Sequence, residues 1–390
     1  MTFFPLASRM EAVQSPVIPQ IGQFIRQNPG TISLGQGIVF YPPPATVLAS
    51  LTDCLADVTN HQYQAVQGIP PLLTAITQKL ATDNHITIEP GKNAVVVTAG
   101  ANMGFLNAVL AITQVGDEII VNTPYYFNHE MAIRIAGCQP ITVPTDEHYQ
   151  LQLDQIQAAI TPKTRAIVTI SPNNPTGIVY PSQVLTQINQ LCRERGLYHI
   201  TDEAYEYFTY GGHTHFSPGS LPHSAGHTIS LFSLSKSYGF AGWRVGYMVI
   251  PTALLLAVKK IQDTNLICPP IVCQYAAIAA LTAGQDYCQQ FLPEIAQNRQ
   301  AFLAQLQPLA DQVTWVIPQG AFYGFLRLPE KHQDLALVQQ LIERYQVAVL
   351  PGSTFGMVDG CYLRVAYGAL RFSLFQEGLQ RLINGLGNLL

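Results

Sequence analysis

Ser233-Leu-Ser-Lys-Ser-Tyr-Gly-Phe-Ala-Gly-Trp-Arg-Val-Gly-Tyr247 decides how the rest of this chain is read. The apolar run Thr228-Ile-Ser-Leu-Phe232 enters it as a predicted strand, and Val245 to Ile250 leaves it as another. Lys236 therefore sits on a short loop between two strands and is held by the sheet. A lysine amine is a nucleophile toward an aldehyde, with which it forms a Schiff base. The hydroxyls of Ser233 and Ser235 and the guanidinium of Arg244 can hold a phosphate dianion, because arginine offers a planar fork of donors. An aldehyde and a phosphate on one small molecule describe pyridoxal phosphate.

Upstream of this stretch, strands and helices alternate. Ala94-Val-Val-Val-Thr98 is short, apolar and β-branched at nearly every position, as in a buried parallel strand. Further strands are predicted at Glu118–Val121, Pro140–Val143, Ala166–Ile170 and Leu197–Thr201. With the two strands around Lys236 this makes seven, most of them separated by helical stretches such as Ser182 to Arg195. The pattern implies an α/β fold with a largely parallel sheet covered by helices on both faces. The last two strands leave no room for a helical crossover, so one of them is expected to run antiparallel.

Ligands in such sheets bind beyond the strand C-terminal ends, and the chemically interesting residues fall there. Gly100-Ala101-Asn102 opens a helix running through Ile112, where free amides and the helix dipole favour phosphate. Pro124-Tyr-Tyr-Phe127 follows the second strand and offers an aromatic ring for stacking on a flat ligand. Ser171-Pro-Asn-Asn-Pro-Thr-Gly177 is a turn by composition. Asp202, just past a buried strand, is either a local cap or the partner of a ring nitrogen. Tyr205 follows three positions later.

The flanks are less regular. Residues 1–45 are proline-marked and expected to be irregular, apart from Thr31-Ile-Ser-Leu34 running into Gly35-Gln-Gly37, where glycines let the backbone approach a ligand. Tyr63 lies on a loop before a helix that starts at Pro70-Pro71. Helices are expected at Ala253–Ile261 and Ile271–Leu281. From about residue 301 a second α/β unit follows. Its predicted strands are Val313–Ile317, a bulged one within Gly320–Phe325, Val347–Leu350 and Tyr362–Ala366, with helices at Leu335–Tyr345 and from Leu374. Arg364 lies within the last of these strands, on the face opposite Leu363 and Val365.

Composition narrows the function classes. The 390 residues are 48% hydrophobic and only 11% charged, with a net charge of −4. This suits a large buried core, and the absence of basic blocks argues against nucleic acid or an anionic membrane as partner. Seven scattered cysteines without a Cys-x-x-Cys pair point to reduced thiols and a cytoplasmic setting. No apolar run approaches the roughly 20 residues of a membrane span, and the N-terminus has no signal-peptide pattern.

Ser-x-Ser-Lys followed by Gly-x-Arg-x-Gly, together with Asn174-Pro-Thr-Gly177, Tyr63-x-x-x-x-Gly-x-x-x-Leu72 and Leu363-Arg-Val365, resembles the class I aminotransferases of the aspartate aminotransferase fold. Leu34-Gly-Gln-Gly37 with Tyr41-Pro-Pro-Pro44, and Gln62-Tyr63 with Pro70-Pro-Leu72, look most like the kynurenine, glutamine and methionine aminotransferase branch. The resemblance implies a fold type I pyridoxal phosphate enzyme. Its large domain, residues 46–290, would hold the seven-stranded sheet, and residues 1–45 and 291–390 would form a small domain. It makes Lys236 the cofactor lysine and proton carrier, Asp202 the pyridine nitrogen's partner, and Asn174 and Tyr205 donors to the phenolic oxygen. Gly100, Ala101, Asn102, Ser233 and Arg244 would hold the phosphate, with Tyr63 reaching it from a second subunit. Tyr126, ahead of Tyr125, would stack on the ring. Arg364 would grip the substrate carboxylate, and Gly37 would border the substrate.

The expected activity is ping-pong transfer of an amino group between a neutral or aromatic amino acid and a 2-oxo acid, in a homodimer with shared sites. The substrate preference rests on the lack of an arginine between Arg244 and Arg299, where Ile267-Cys-Pro-Pro-Ile271 stands instead. An aspartate aminotransferase, a β carbon–sulfur lyase on the same scaffold, and a pyridoxal phosphate-sensing regulator are the alternatives.

Overall fold

The computed structural model, which describes residues 7–329 and 332–390, is built around one seven-stranded sheet. Its strands are β1 (Asn93–Thr98), β2 (Glu118–Thr123), β3 (Gln139–Pro144), β4 (Thr164–Ile170), β5 (Tyr198–Asp202), β6 (Thr228–Ser233) and β7 (Gly246–Pro251). They lie in the order β1-β7-β6-β5-β4-β2-β3. β7 is antiparallel to both of its neighbours, and every other pairing is parallel. The strand expected to run against the rest is therefore β7, the one that leaves the Lys236 segment with no crossover. Six strands consequently end at the same edge of the sheet, and β7 begins there.

The β-branched runs form strands because both sides of each can be buried. Within β1, Val95 and Val97 pack against Leu72 and Ile76 of the helix Pro70–Asp83, while Val96 turns to Phe105 and Val109 of the helix Gly100–Ile112. Each fully buried valine or leucine contributes roughly 1.5–3 kcal/mol to such a sandwich.

A second, smaller sheet is antiparallel throughout. Its centre is β8 (Tyr323–Leu328) paired with β9 (Cys361–Ala366), flanked by the short strands Thr314–Trp315 and Leu350–Pro351. Ile32–Ser33 pairs in parallel with Val347–Ala348. Leu34 then continues onto β9, its carbonyl accepting from Ala366 N at 2.6 Å. The N-terminal segment is thereby tied to the C-terminal third of the chain, which brings the glycines at 35 and 37 over β9.

Several boundaries differ from the sequence reading. Residues 1–45 are not simply irregular: Ser8–Ala12 and Val17–Gln27 are helices, and Ala45 starts another. Pro16 precedes the second of these and Pro19 lies in its first turn, where the missing N–H costs nothing, and Val17 and Ile21 supply the buried side. The strand expected over 313–317 shrinks to Thr314–Trp315, and that over 347–350 is two two-residue pieces on different sheets. The helix expected to end at Leu281 runs to Gln289 across a kink at Gly284, whose φ is +68°. Lys236 itself lies in a one-turn helix, Leu234–Ser237, capped by the Ser233 hydroxyl, which accepts from Ser235 N at 3.2 Å.

Candidate active site

The strand ends converge on a cleft of about 530 Å³ lined from five of the six co-directional strands. Ala101 and Asn102 come from the segment after β1, Tyr126 after β2, Asn174 after β4, and Asp202 and Tyr205 from β5 and the turn beyond it. Ser233, Ser235 and Lys236 follow β6, and Arg244 precedes β7. A second opening of about 860 Å³ continues from it, sharing Tyr126, Asn174, Tyr205 and Lys236 and adding Gly37, Tyr323 and Arg364.

One end of the first cleft is rich in donors. Gly100 adopts φ +78°, and a Cβ there would lie 2.4 Å from Nη2 of Arg244. The helix N-terminus and the guanidinium are thus pressed together at a position only glycine can fill. Arg244 is itself held at φ +54° and its Nη1 donates to the Ala241 carbonyl at 2.9 Å. Amides at a helix start, two serine hydroxyls and an arginine make a phosphate-binding donor set.

The other end carries a carboxylate. Asp202 is buried; its Oδ1 accepts from Ala204 N at 3.1 Å and its Oδ2 lies 3.1 Å from Nε2 of His129. The two readings left open for Asp202 are thus compatible, one oxygen serving the local turn and the other facing a side chain. His129 is buried too, its ring stacked on Phe105 at 3.9 Å and edge-on to Tyr126 at 5.2 Å. Tyr126 lines the cleft, whereas Tyr125 turns away to pack on Gly356, which decides between the two tyrosines. Burial pushes the Tyr126 hydroxyl up, against hydrogen bonds from Asn102 and Asn128.

Between these ends stands Lys236. Its Nζ donates to the Gly37 carbonyl. Desolvation, aided by the nearby charges of Arg364 and Arg244 and opposed by Asp202, brings the amine down to about 8. A lysine so placed is neutral in a large fraction near pH 8 and nucleophilic.

Arg364, fully buried, closes the far side. Nη1 donates to Asn174 Oδ1 at 2.8 Å and Nη2 to the Gly35 carbonyl at 2.7 Å, while Nε has no partner. Its guanidinium lies 4.3 Å from the Tyr323 ring and 5.0 Å from the Phe355 ring. A buried cation with aromatic walls, facing the cleft and without a carboxylate of its own, is built to receive one.

Apart from Tyr63 and Tyr125, every candidate site residue the sequence singled out meets in these two openings or against them. Tyr63 is 79% exposed and away from the cleft of its own chain. His129 and Tyr323 were not anticipated. His129 sits three positions after Tyr126, on the helix that follows β2, so helical spacing offered a clue. Tyr323 lies in a strand that was predicted, and nothing local marks it.

A donor-rich pocket, a buried carboxylate at the opposite end and a lysine of lowered proton affinity between them fit pyridoxal phosphate. Ser233, Ser235, Arg244 and the helix start would hold its phosphate, Asp202 its ring nitrogen and Lys236 its aldehyde carbon. Comparison with known proteins identifies the family. The family model for aminotransferase class I and II matches residues 29–382. An aromatic aminotransferase of Arabidopsis thaliana is 32% identical over 398 residues, covering 100% of this chain and 98% of its own. An aspartate aminotransferase of Pyrococcus abyssi is 30% identical and covers 97% of each chain. Among solved structures, the aspartate aminotransferase of Thermus thermophilus with maleate superimposes with a TM-score of 0.88 at 29% identity, covering 98% of this chain and 100% of that one. The aromatic aminotransferase of Pyrococcus horikoshii does so with a TM-score of 0.86 at 29% identity, over 94% and 99%. This chain belongs to the class I and II aminotransferases, enzymes of the fold type I architecture that use pyridoxal phosphate.

Proposed function

We propose that this aminotransferase takes a neutral or aromatic amino acid as donor. The observation that carries this is the lining beside Arg364. Among the described residues, the charged side chains lining the two openings are Lys236, Arg244, Arg364 and Asp202, and each cation has a task already. Where the substrate's side chain would lie, the wall consists of Pro16, Ile18, Pro19, Ile38 and Phe127, with Gln36 and Asn128 as its neutral polar members. A side-chain carboxylate there would be unpaired, which is costly, whereas each buried methylene is worth roughly 0.8 kcal/mol.

The residue roles follow from position. Arg364 receives the substrate's α-carboxylate on its free Nε and outer face. Asn174, oriented by Arg364, turns its amide NH₂ toward the cleft. The bound cofactor supplies an aldehyde for covalent capture and a ring that withdraws electrons from the substrate carbon. Asp202, backed by His129, holds a positive charge on the ring nitrogen. With the cofactor bound, the Lys236 amine would be the group placed to accept the substrate's α-proton and to return it. Tyr205 and Asn174 donate to the phenolic oxygen. The same steps run in reverse with a 2-oxo acid give ping-pong kinetics.

Measuring kcat/KM for glutamine, methionine, phenylalanine and kynurenine against aspartate tests the substrate class. An aspartate value tenfold above all four would reverse it. That reading has support of its own, since the Pyrococcus abyssi and Thermus thermophilus relatives are named aspartate aminotransferases. Release of pyruvate without a second oxo acid would instead mark a lyase.

The working unit we propose is a homodimer. Leu48, Leu55, Val58 and Tyr63 are 69%, 53%, 75% and 79% exposed along one stretch of chain, an apolar surface suited to a second copy. Tyr63 would then reach the partner's phosphate. Mixing Tyr63→Phe with Lys236→Ala subunits should restore tight cofactor binding at the one site of native composition, and no recovery would count against shared sites. Residues 46–290 would move as the large domain against 1–45 with 291–390. A cytoplasmic setting suits seven free thiols, and no helix among the described residues is long and apolar enough to cross a membrane.

A further inference from the structure

Tyr323 opens β8 on the wall between the two openings, and it is buried. Its ring carries the Arg364 guanidinium at 4.3 Å and meets the Tyr205 ring edge-on at 5.5 Å. Its hydroxyl is 2.7 Å from that of Tyr205, its hydrogen-bond partner among the described residues. The hydroxyl lies close against Gly37, where an added Cβ would stand only 2.3 Å from it. Two phenols in this contact share one hydrogen between them, and geometry alone leaves open which of them donates.

The surroundings decide. Arg364 holds Asn174 Oδ1 at 2.8 Å, so the Asn174 amide presents its NH₂ to Tyr205, at 3.5 Å. Tyr205 thus already receives a donor on one side. The Arg364 cation, 4.3 Å from the Tyr323 ring, favours the Tyr323 anion and makes it the stronger acid of the pair; burial raises both phenols above their ordinary value, Tyr323 to about 12. The stronger acid donates.

We propose that Tyr323 is a positioning residue: its hydroxyl donates to Tyr205 and so turns the Tyr205 hydrogen into the cleft, toward the phenolic oxygen of the cofactor. This rests on the pyridoxal phosphate reading of the cleft. In this role Tyr323 acts through Tyr205, with which its hydroxyl pairs at 2.7 Å. A hydroxyl that accepts a hydrogen bond also becomes a better donor, so the effect is on the strength of the Tyr205 bond as well as on its direction. Gly37 is then glycine because it leaves room for the hydroxyl that aims Tyr205.

The test is a pH titration of the absorbance of the cofactor-loaded, substrate-free protein. A hydrogen bond to the phenolic oxygen stabilises its anion and keeps the proton affinity of the bound chromophore low. Tyr323→Phe should raise that affinity about threefold to tenfold, an upward move of the spectral midpoint by about 0.5 to 1 pH unit. Tyr205→Phe should raise it further, and adding Tyr323→Phe to Tyr205→Phe should change nothing more. An unmoved midpoint in Tyr323→Phe overturns the proposal. A downward move does so too, because it means Tyr205 had been donating to Tyr323. An equal shift in the Tyr205→Phe background also overturns it, since the influence would then run through Arg364. If the unsubstituted protein binds no cofactor at all, it is the reading of the cleft that fails; a normal absorbance with an unmoved midpoint removes only the role of Tyr323.

Discussion

Arg364, in β9 of the smaller sheet, donates through Nη1 to Oδ1 of Asn174 at 2.8 Å, in the turn that follows β4 of the larger one. The bond ties the residue we propose for the substrate's carboxylate to the one we propose for the cofactor's phenolic oxygen. The same guanidinium donates to the Gly35 carbonyl at 2.7 Å and holds its buried Nε without a partner. Only a planar, forked cation can satisfy three directions at once.

Arg364→Lys should therefore hurt more than its conserved charge suggests. Losing one charge-assisted bond and the orientation of Asn174 corresponds to roughly 2–3 kcal/mol, or roughly a 30- to 160-fold fall in kcat/KM for every amino acid tried. Cofactor absorbance should persist. A loss below fivefold, with all substrates, would show that the carboxylate is gripped elsewhere.

Asp202→Asn should keep the cofactor bound but slow proton transfer by more than about tenfold, at least ~1.4 kcal/mol of barrier, because a neutral amide cannot hold a charge on the ring nitrogen. His129→Leu should cost less, since His129 reaches the ring only through the Asp202 carboxylate 3.1 Å away. Single-turnover rates with a deuterated substrate separate this step from binding. A His129 effect larger than that of Asp202 would invert the assignment.

The lowered proton affinity of Lys236 predicts a pH profile. Desolvation and two neighbouring cations bring its amine from the usual 10.5 to about 8. Only the neutral amine attacks an aldehyde, so the protonated form below that point is the unreactive one. The rate at which cofactor-free protein regains absorbance on adding pyridoxal phosphate should climb about tenfold per pH unit up to about pH 8 and then level off. A profile still climbing at pH 10 would place an ordinary lysine there.

Behind the Asp202–Tyr205 turn, Glu206 is buried against Lys79, and both accept or donate to Asn84, Lys79 Nζ to Oδ1 at 2.7 Å and Nδ2 to Glu206 at 2.7 Å. Lys79→Met would leave a carboxylate buried with one partner fewer and should destabilise the fold by about 3–5 kcal/mol. Adding Glu206→Gln should recover much of the loss. Denaturant titration reads both, and a single variant within 1 kcal/mol of the parent would mean that the pair is not needed.

Asp202, Asn174 and Lys236 were legible because each follows a strong strand signal, and strand ends in a parallel sheet share an edge whatever the details of packing. The seven strands themselves were legible from β-branched runs with both faces to bury. The helices before residue 30 were not, since prolines read as irregularity until their place in a first turn is known.

The sequence alone thus determined the sheet, the family and which residues stand at the strand ends, all of which depend on local pattern. Which tyrosine faces the cleft, the pairing of His129 with Asp202 and the contact of Tyr323 with Tyr205 were decided only by the tertiary structure. Each joins residues far apart in the chain, and its geometry is fixed by how whole elements pack: the helix Phe127–Ile135 against β5, and β8 against the turn that follows β5. A side chain's neighbours across such contacts leave no periodic trace in its own segment, so spacing cannot announce them.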